Sequence, residues 1–133
     1  MSRRTLLAAP FAVTFALAAS LAVAAPRHAS YTADQAARGR LEYIQNCGEC
    51  HGGDLGGQFG PALAGPNGRA QYESGASVYA YTIAHMPNGN AGALPQAEYL
   101  DIMAFIYERN GIAAGARALT SQTVAHDTVA LGK

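Results

Sequence analysis

Two cysteines and a histidine stand within five consecutive residues, Cys47-Gly48-Glu49-Cys50-His51, and these are the chain's only cysteines. A disulfide between them would close a very small loop, which removes little entropy from the unfolded chain. A thioredoxin-type redox pair would need a preceding strand in a βαβ context, and the residues before Cys47 predict neither. A zinc site needs four ligands, and the sequence offers no second C-x-x-C or H-x-x-x-H pair to complete one.

The remaining interpretation of this pentapeptide is covalent attachment of haem, for which C-x-x-C-H is the complete motif. Two thiols three positions apart reach the two vinyl groups on one side of a porphyrin and form thioethers. The histidine that follows the second cysteine is then placed under the ring, where its imidazole binds the iron. The motif predicts one covalent haem c on Cys47 and Cys50, with iron bound by His51.

The other axial position of the iron has three candidate ligands. Met103 stands in a strongly apolar helical run and is interpreted as a core side chain. Met86 stands where a helix meets a Gly/Asn/Pro loop, and packing gives little reason for a methionine there. We therefore expect Met86 to be the ligand. His85 directly precedes Met86 and stays an alternative, since histidine is also a good iron ligand.

The first 24 residues are organised like a secretory signal peptide. Arg3 and Arg4 form a short positive region, an apolar stretch runs over residues 6–23, and Ala22-Val23-Ala24 gives a small-x-small cleavage pattern. We expect general secretion to the periplasm, cleavage after Ala24 and no stable membrane insertion. An uncleaved membrane anchor is the alternative. A twin-arginine signal fits less well, because it exports folded proteins and haem is attached to an unfolded chain outside the membrane.

The charge pattern of the chain argues against a nucleic acid as the partner. Nine Lys/Arg balance nine Asp/Glu, and no basic stripe stands out. After cleavage the chain keeps seven of the basic and all nine acidic side chains, so it is mildly negative. Its one lysine is Lys133. We therefore expect no steering of partners by a ring of lysines, and a partner surface that is apolar or matched to a mildly acidic protein.

Three helices are predicted to position the cysteines, the histidine and Met86. Thr32-x-x-Gln35 is a capping-box pattern that begins the first helix, and Gly39 on that helix would let another backbone come close. A middle helix covers about residues 76–84, and a strongly apolar last helix runs over residues 95–111. Between the first two helices lies a segment rich in Gly, Pro and Asn. So thin a core needs haem at its centre, and the apo form is expected to be poorly folded.

The order of these motifs resembles the class I, single-haem cytochrome c family over roughly residues 32–111. The matching residues are Gly39 and Tyr43, the haem motif at 47–51, Gly60-Pro61-Ala62-Leu63-Ala64-Gly65, Met86-Pro87 and Asn110-Gly111. The resemblance implies an all-α, cytochrome c-like fold, with three to four helices and Gly-rich loops wrapped around one covalently attached haem. It also implies that Pro61 offers its carbonyl to the free N–H of the proximal histidine and that Met86 is the distal ligand.

A narrower resemblance concerns the redox partners. Residues 85–115 resemble cytochromes c that serve PQQ-dependent alcohol dehydrogenases, which implies a quinoprotein dehydrogenase and an oxidase as partners. We expect a signal peptide at 1–24, a cytochrome c domain at 25–111 and a C-terminal tail at 112–133 that lies partly on the surface. The protein is expected to be a monomer or a subunit of a redox complex.

The expected function follows from the occupation of both axial positions of the iron. With His and Met on its two axial positions, the iron has no site for substrate, so one-electron transfer is expected and enzymatic activity is not. The thioether ligand favours the ferrous state and raises the reduction potential. The alternative is a haem-based sensor or gas-binding protein, or a peroxidase-like enzyme, each of which needs an open sixth coordination site.

Overall fold

The computed structural model describes residues 30–68 and 73–131, so the predicted signal peptide lies outside the described residues. These ranges form five helices: α1 (Ala33–Asn46), α2 (Gly48–His51), α3 (Gly75–His85), α4 (Gln96–Arg109) and α5 (Ser121–Ala125). They contain no strand, and an isolated β-bridge joins Ser74 to Ala130. The all-α prediction is confirmed, with two single-turn helices beside the three longer ones. None of the helices in these ranges combines the length and the apolar character that crossing a membrane requires.

Helix α1 begins where the sequence predicts. The Thr32 side chain accepts a hydrogen bond from the Gln35 N–H at 3.2 Å, which caps one of the free donors of the first turn. The Gln35 side chain is engaged far along the chain, with Leu119, to whose carbonyl it donates at 3.1 Å and from whose N–H it accepts at 2.7 Å. The predicted capping box is thus realised by its threonine, while its glutamine anchors a distant segment.

Helices α1 and α4 cross at Gly39. A Cβ atom added to Gly39 would lie 1.7 Å from the Asp101 carbonyl oxygen, so no larger residue fits where the two backbones meet. The expected close approach is confirmed. One turn further along α1, the buried ring of Tyr43 packs against Phe105 of α4, with ring centroids 5.4 Å apart. Helix α4 supplies more of the core than any other helix, since residues 99, 100 and 102–107 are all buried.

The other helix boundaries follow the predictions closely. Helix α3 covers the predicted residues 76–84 with one more residue at each end. Helix α4 begins one residue later than expected, because Pro95 is its N-cap and Gln96 its first helical residue. It ends at Asn110, followed by Gly111 with a φ of 73°, as expected of a helix C-terminus.

The segment after Gly111 is more than a surface tail. Four of its side chains are buried, those of Ile112, Leu119, Val124 and Leu131. The Tyr31 hydroxyl donates to the Ile112 carbonyl, and the Gly115 N–H donates to the Tyr31 carbonyl at 2.7 Å. The segment therefore completes the core, because the short helices alone leave apolar surface that it covers.

Candidate haem site

The two cysteines lie at the junction of α1 and α2. Cys47 closes α1, with its N–H donating to the Tyr43 carbonyl at 2.8 Å, and its own carbonyl accepts from the N–H groups of Cys50 and His51 at 3.2 and 2.9 Å. One helical turn thus places the two thiols on the same side of α2, since residues three apart are neighbours on a helix. Cys50 is exposed and Cys47 is half-buried.

The thiol of Cys47 is not set up as a reactive thiolate. Burial, with a smaller contribution from the neighbouring Cys50, raises the pKa of Cys47 to about 11. Catalytic and redox-active cysteines generally have a lowered pKa and lie in an electropositive environment. This site is therefore unlike a thioredoxin-type pair. The described ranges also contain no cluster of three or more His, Cys, Asp or Glu side chains that could hold a metal ion by themselves.

The His51 imidazole is held in one orientation. Only 8% of the residue is exposed, and its Nδ1 lies 2.8 Å from the Pro61 carbonyl oxygen. A carbonyl can only accept, so Nδ1 carries the hydrogen and donates it. The lone pair is then on Nε2, where it is free to bind a metal. This is the contact that the family resemblance implies for Pro61.

The loop after α2 folds back over this imidazole. The N–H of Gly60 donates to the Cys50 carbonyl at 2.7 Å, and the N–H of Gly57 donates to the His51 carbonyl at 2.8 Å. A Cβ atom at Gly60 would lie 2.8 Å from Cε1 and 2.9 Å from Nδ1 of the His51 ring. The loop backbone therefore packs directly on the ring, and a glycine is needed at this point.

The same loop is anchored in the core by Leu55. Its side chain is completely buried although its φ is 66°, a backbone conformation that costs energy for a branched residue. The Leu55 carbonyl accepts hydrogen bonds from the N–H groups of Leu63 and Ala64 at 2.8 and 3.2 Å. The Tyr43 hydroxyl adds a bond to the Gly52 carbonyl at 2.9 Å. These contacts fix the loop that carries Pro61.

Met86 lies on a different element, at the C-cap of α3. Its N–H donates to the Thr82 carbonyl at 2.8 Å, and its carbonyl accepts from the Tyr99 hydroxyl at 2.7 Å. Its side chain is partly exposed, whereas Met103 is completely buried in the core formed by α4. Met86 is thus firmly held by its backbone, and it is not one of the core residues.

His85 has neighbours of its own. It is exposed, and its imidazole packs against the ring of Tyr81 one turn earlier on α3, with ring centroids 4.5 Å apart. Tyr81 is 57% exposed, so this ring pair lies on the solvent side of the helix.

The donor set fits a covalently attached haem. A pair of thiols one helical turn apart and an imidazole with Nε2 free are the groups that bind haem c. Among the described residues, the buried hydroxyl of Tyr79 and the Oδ1 atom of Asn110 have no hydrogen-bond partner. Burial raises the pKa of Tyr79, and Gln96 offsets part of that rise without reaching ordinary hydrogen-bond geometry.

Two residues that support the site could not be recognised from the sequence. Tyr99 holds the backbone of Met86 from α4, thirteen positions away, and Leu55 anchors the loop in a conformation unusual for leucine. The sequence has no local signal for either role. Gly60 was part of the matched family motif, and the structure gives the physical reason for a glycine there.

Comparison with known proteins places the chain in a family. Residues 34–106 match the family described as "Cytochrome C oxidase, cbb3-type, subunit III", a cytochrome c domain that covers more than half of the chain. No curated protein sequence matches the chain.

Among solved structures, the chain is similar to the sulfane dehydrogenase SoxCD from Paracoccus pantotrophus, at 27% identity and a TM-score of 0.61 over 71% of this chain. It spans about half of that chain, 52%. The cytochrome cL of the methylotroph Methylophaga aminisulfidivorans is 22% identical, with a TM-score of 0.46 over 71% of this chain and 66% of its own. That of Hyphomicrobium denitrificans is 17% identical, with a TM-score of 0.44 over 73% and 62%.

The fold prediction and the recognition of the family are therefore both confirmed. Membership implies a covalently bound haem c with iron, and Cys47 and Cys50 are present to hold it. The chain belongs to the cytochrome c family of the cbb3-type oxidase subunit III domain.

Proposed function

We propose that this protein is a periplasmic one-electron carrier whose haem iron is bound by His51 and Met86. Cys47 and Cys50 hold the porphyrin through thioethers, and the Pro61 carbonyl orients His51. The haem supplies the Fe(III)/Fe(II) couple. The chain's own residues attach it, fix the imidazole and close the sixth coordination site, which leaves electron transfer as the available reaction.

The observation that carries this proposal is the 2.8 Å contact between Nδ1 of His51 and the Pro61 carbonyl oxygen. This bond leaves Nε2 as the metal-binding nitrogen and keeps the ring in one orientation. It joins the C-x-x-C-H motif to a loop packed directly on the ring, a support that a cysteine pair used for redox exchange or a disulfide would not need.

Three observations favour Met86 as the distal ligand over Met103 and His85. Met103 is completely buried in the core, so it would have to leave that core to reach the iron. His85 is exposed and packs against Tyr81. Met86 is held at its N–H by Thr82 and at its carbonyl by Tyr99, and the residue is partly exposed. Because its backbone is already held on both sides, Met86 loses little backbone entropy when it binds.

The expected partners are a dehydrogenase that donates electrons and a terminal acceptor such as an oxidase. The sequence resemblance over residues 85–115 supports a quinoprotein dehydrogenase, and the family description supports an oxidase. The protein would act as a monomer or as a subunit of their complex, in the periplasm once a signal peptide at 1–24 is removed. A mildly negative chain without a lysine ring favours short-lived contacts that depend little on salt.

The ligand assignment is tested by two substitutions. Met86→Ala should abolish the weak far-red band of Met-bound Fe(III) and let carbon monoxide bind the ferrous protein readily. Met103→Ala should keep the band, although the lost core side chain should cost about 2–5 kcal/mol of stability. Retention of the band in Met86→Ala, with loss in Met103→Ala, would reverse the assignment. Carbon monoxide binding by the unaltered protein would favour the sensor or peroxidase-like alternatives.

A further inference from the structure

The segment after α4 contacts the beginning of α3, the helix that ends at Met86. The Asp127 carbonyl accepts from the Ala76 N–H at 3.0 Å, and the Val129 carbonyl accepts from the Gly75 N–H at 3.1 Å. A helix leaves its first N–H groups without partners inside the helix. The C-terminal segment therefore caps α3, and the bond from the Leu131 N–H to the Glu73 carbonyl at 3.0 Å continues the contact.

The Asp127 side chain ties the same point to α4. One of its carboxylate oxygens accepts from the Tyr107 hydroxyl, and the other accepts from the Val129 N–H at 2.8 Å. Burial, assisted by the bond to Asp127, raises the pKa of Tyr107 above its usual value. The three elements are in tight contact, because a Cβ atom at Gly75 would lie 1.8 Å from the Tyr107 oxygen and 2.9 Å from Asp127 Oδ2.

Helix α4 thus holds α3 at both ends. At one end Tyr99 donates to the Met86 carbonyl, and at the other Tyr107 holds Asp127 against the first turn of α3. Eleven helical residues span about 16 Å, and the Met86 N–H bonds back into the last turn of α3. A shift of the first turn is therefore passed to the backbone of Met86.

We propose that Asp127 is a positioning residue for the distal ligand: together with Tyr107 it clamps α3, so that Met86 stays on the haem iron. This inference rests on the proposed function, since it requires Met86 to be the ligand. Both clamp residues lie beyond residues 34–106, the part of the chain that matches the family. Tyr107 belongs to α4, so the part of the clamp that this chain's C-terminal segment adds to the domain is Asp127.

The test is competition between imidazole and Met86 for the ferric iron of the full-length holoprotein. Imidazole binds only when Met86 has left, so its apparent dissociation constant falls in proportion as the detached fraction rises. Asp127→Ala should tighten imidazole binding about tenfold, equivalent to about 1.4 kcal/mol. Asp127→Asn should stay near the unaltered protein, because its amide oxygen can still accept from the Val129 N–H and its amide nitrogen can donate to the Tyr107 oxygen.

A second variant disturbs the contact between the first turn of α3 and the clamp residues without removing a charge. In Gly75→Ala the new methyl group pushes α3 away from Tyr107, while alanine itself favours the helix, so any loss comes from displacement. It should also tighten imidazole binding. Asp101→Ala is the matched control, since it removes a carboxylate that pairs with Arg38 between α1 and α4. It should leave imidazole binding unchanged.

The outcomes separate the clamp from the ligand assignment. Suppose that the unaltered protein has the far-red band and that Asp127→Ala and Gly75→Ala bind imidazole as tightly as it does. The clamp is then wrong and the proposed function stands. Equal tightening in Asp101→Ala would show general destabilisation, which also overturns the clamp. Absence of the far-red band from the unaltered protein would overturn Met86 ligation and the clamp with it.

Discussion

The His51 imidazole is fixed by its neighbours before any metal is considered. Pro61 accepts from Nδ1, and the backbone at Gly60 packs against the ring. A histidine that donates to a carbonyl is a stronger electron donor to the metal it binds on the other nitrogen. The orientation of this ring is therefore expected to influence the reduction potential as well as the attachment of the haem.

The substitution Gly60→Ala tests whether the orientation of His51 influences the reduction potential. The new methyl group would lie under 3 Å from the ring, so His51 must move and its bond to Pro61 must weaken. A weaker donor stabilises Fe(III) less, so we expect the reduction potential to rise by about 20–60 mV, the equivalent of one hydrogen bond. Potentiometric titration measures this.

Gly53→Ala is the matched control for that substitution, because a Cβ atom at Gly53 meets nothing within 4 Å. It should leave the potential unchanged. A potential in Gly60→Ala that equals that of the unaltered protein would mean that the loop does not tune the imidazole.

Single residues differ in how far the sequence reveals them. Cys47, Cys50 and His51 can be recognised because their chemistry depends on a local spacing, and Pro61 follows from resemblance to a family. The bond between Tyr99 and the Met86 carbonyl has no local pattern, since it depends on how α3 and α4 come together. Such contacts depend on tertiary packing, so they cannot be recognised from a local pattern in a single sequence.

Helices are the elements that the sequence predicts best. The starts of α1 and α4 and the end of α4 are signalled by Thr32, Pro95 and Gly111, whose effects on the backbone are local. The residues after Gly111 look like a tail because they have few apolar residues in any regular pattern. They pack nevertheless, since Gln35, which also fits a local capping pattern, pairs with Leu119 84 residues away.

Gln35→Ala tests this anchoring at the scale of elements. The buried N–H and carbonyl of Leu119 would both lose their partner, and each unpaired buried group costs about 1–3 kcal/mol. We expect the free energy of unfolding to fall by about 2–6 kcal/mol, measured by denaturant titration of the holoprotein. Limited proteolysis should cut the chain earlier between α4 and α5.

Gln45→Ala is the control on the same helix, because Gln45 is exposed near the end of α1. It should change stability by less than about 0.5 kcal/mol. If both variants unfold alike, the C-terminal segment is a surface tail in solution.

Among the described residues, five tyrosines are buried: Tyr31, Tyr43, Tyr79, Tyr99 and Tyr107. Burial raises the pKa values of Tyr31, Tyr43, Tyr79 and Tyr107, and Asp127 adds to the rise at Tyr107. Above pH 10 the unfolded chain loses these phenol protons while the folded protein keeps them. The unfolded state then binds fewer protons, so stability falls as pH rises.

We therefore predict a free energy of unfolding that is level from pH 7 to about 9.5 and falls above pH 10, by up to about 1.4 kcal/mol per pH unit for each tyrosine. Tyr107→Phe should make the decline of the free energy of unfolding shallower. Tyr81→Phe should not, because Tyr81 is exposed. Denaturant titrations at several pH values measure the slope. A flat profile up to pH 11 would contradict the role assigned to these phenols.

The central claim is that both axial positions of the haem iron are filled and that the molecule carries single electrons. Its most direct test is the optical spectrum of the purified holoprotein, ferric, then ferrous, then with carbon monoxide. We predict a low-spin spectrum with the weak far-red band of Met-bound Fe(III), and a ferrous spectrum that carbon monoxide leaves unchanged. A high-spin spectrum, or a ready shift with carbon monoxide, would contradict the claim, because the sixth site would then be open to ligands.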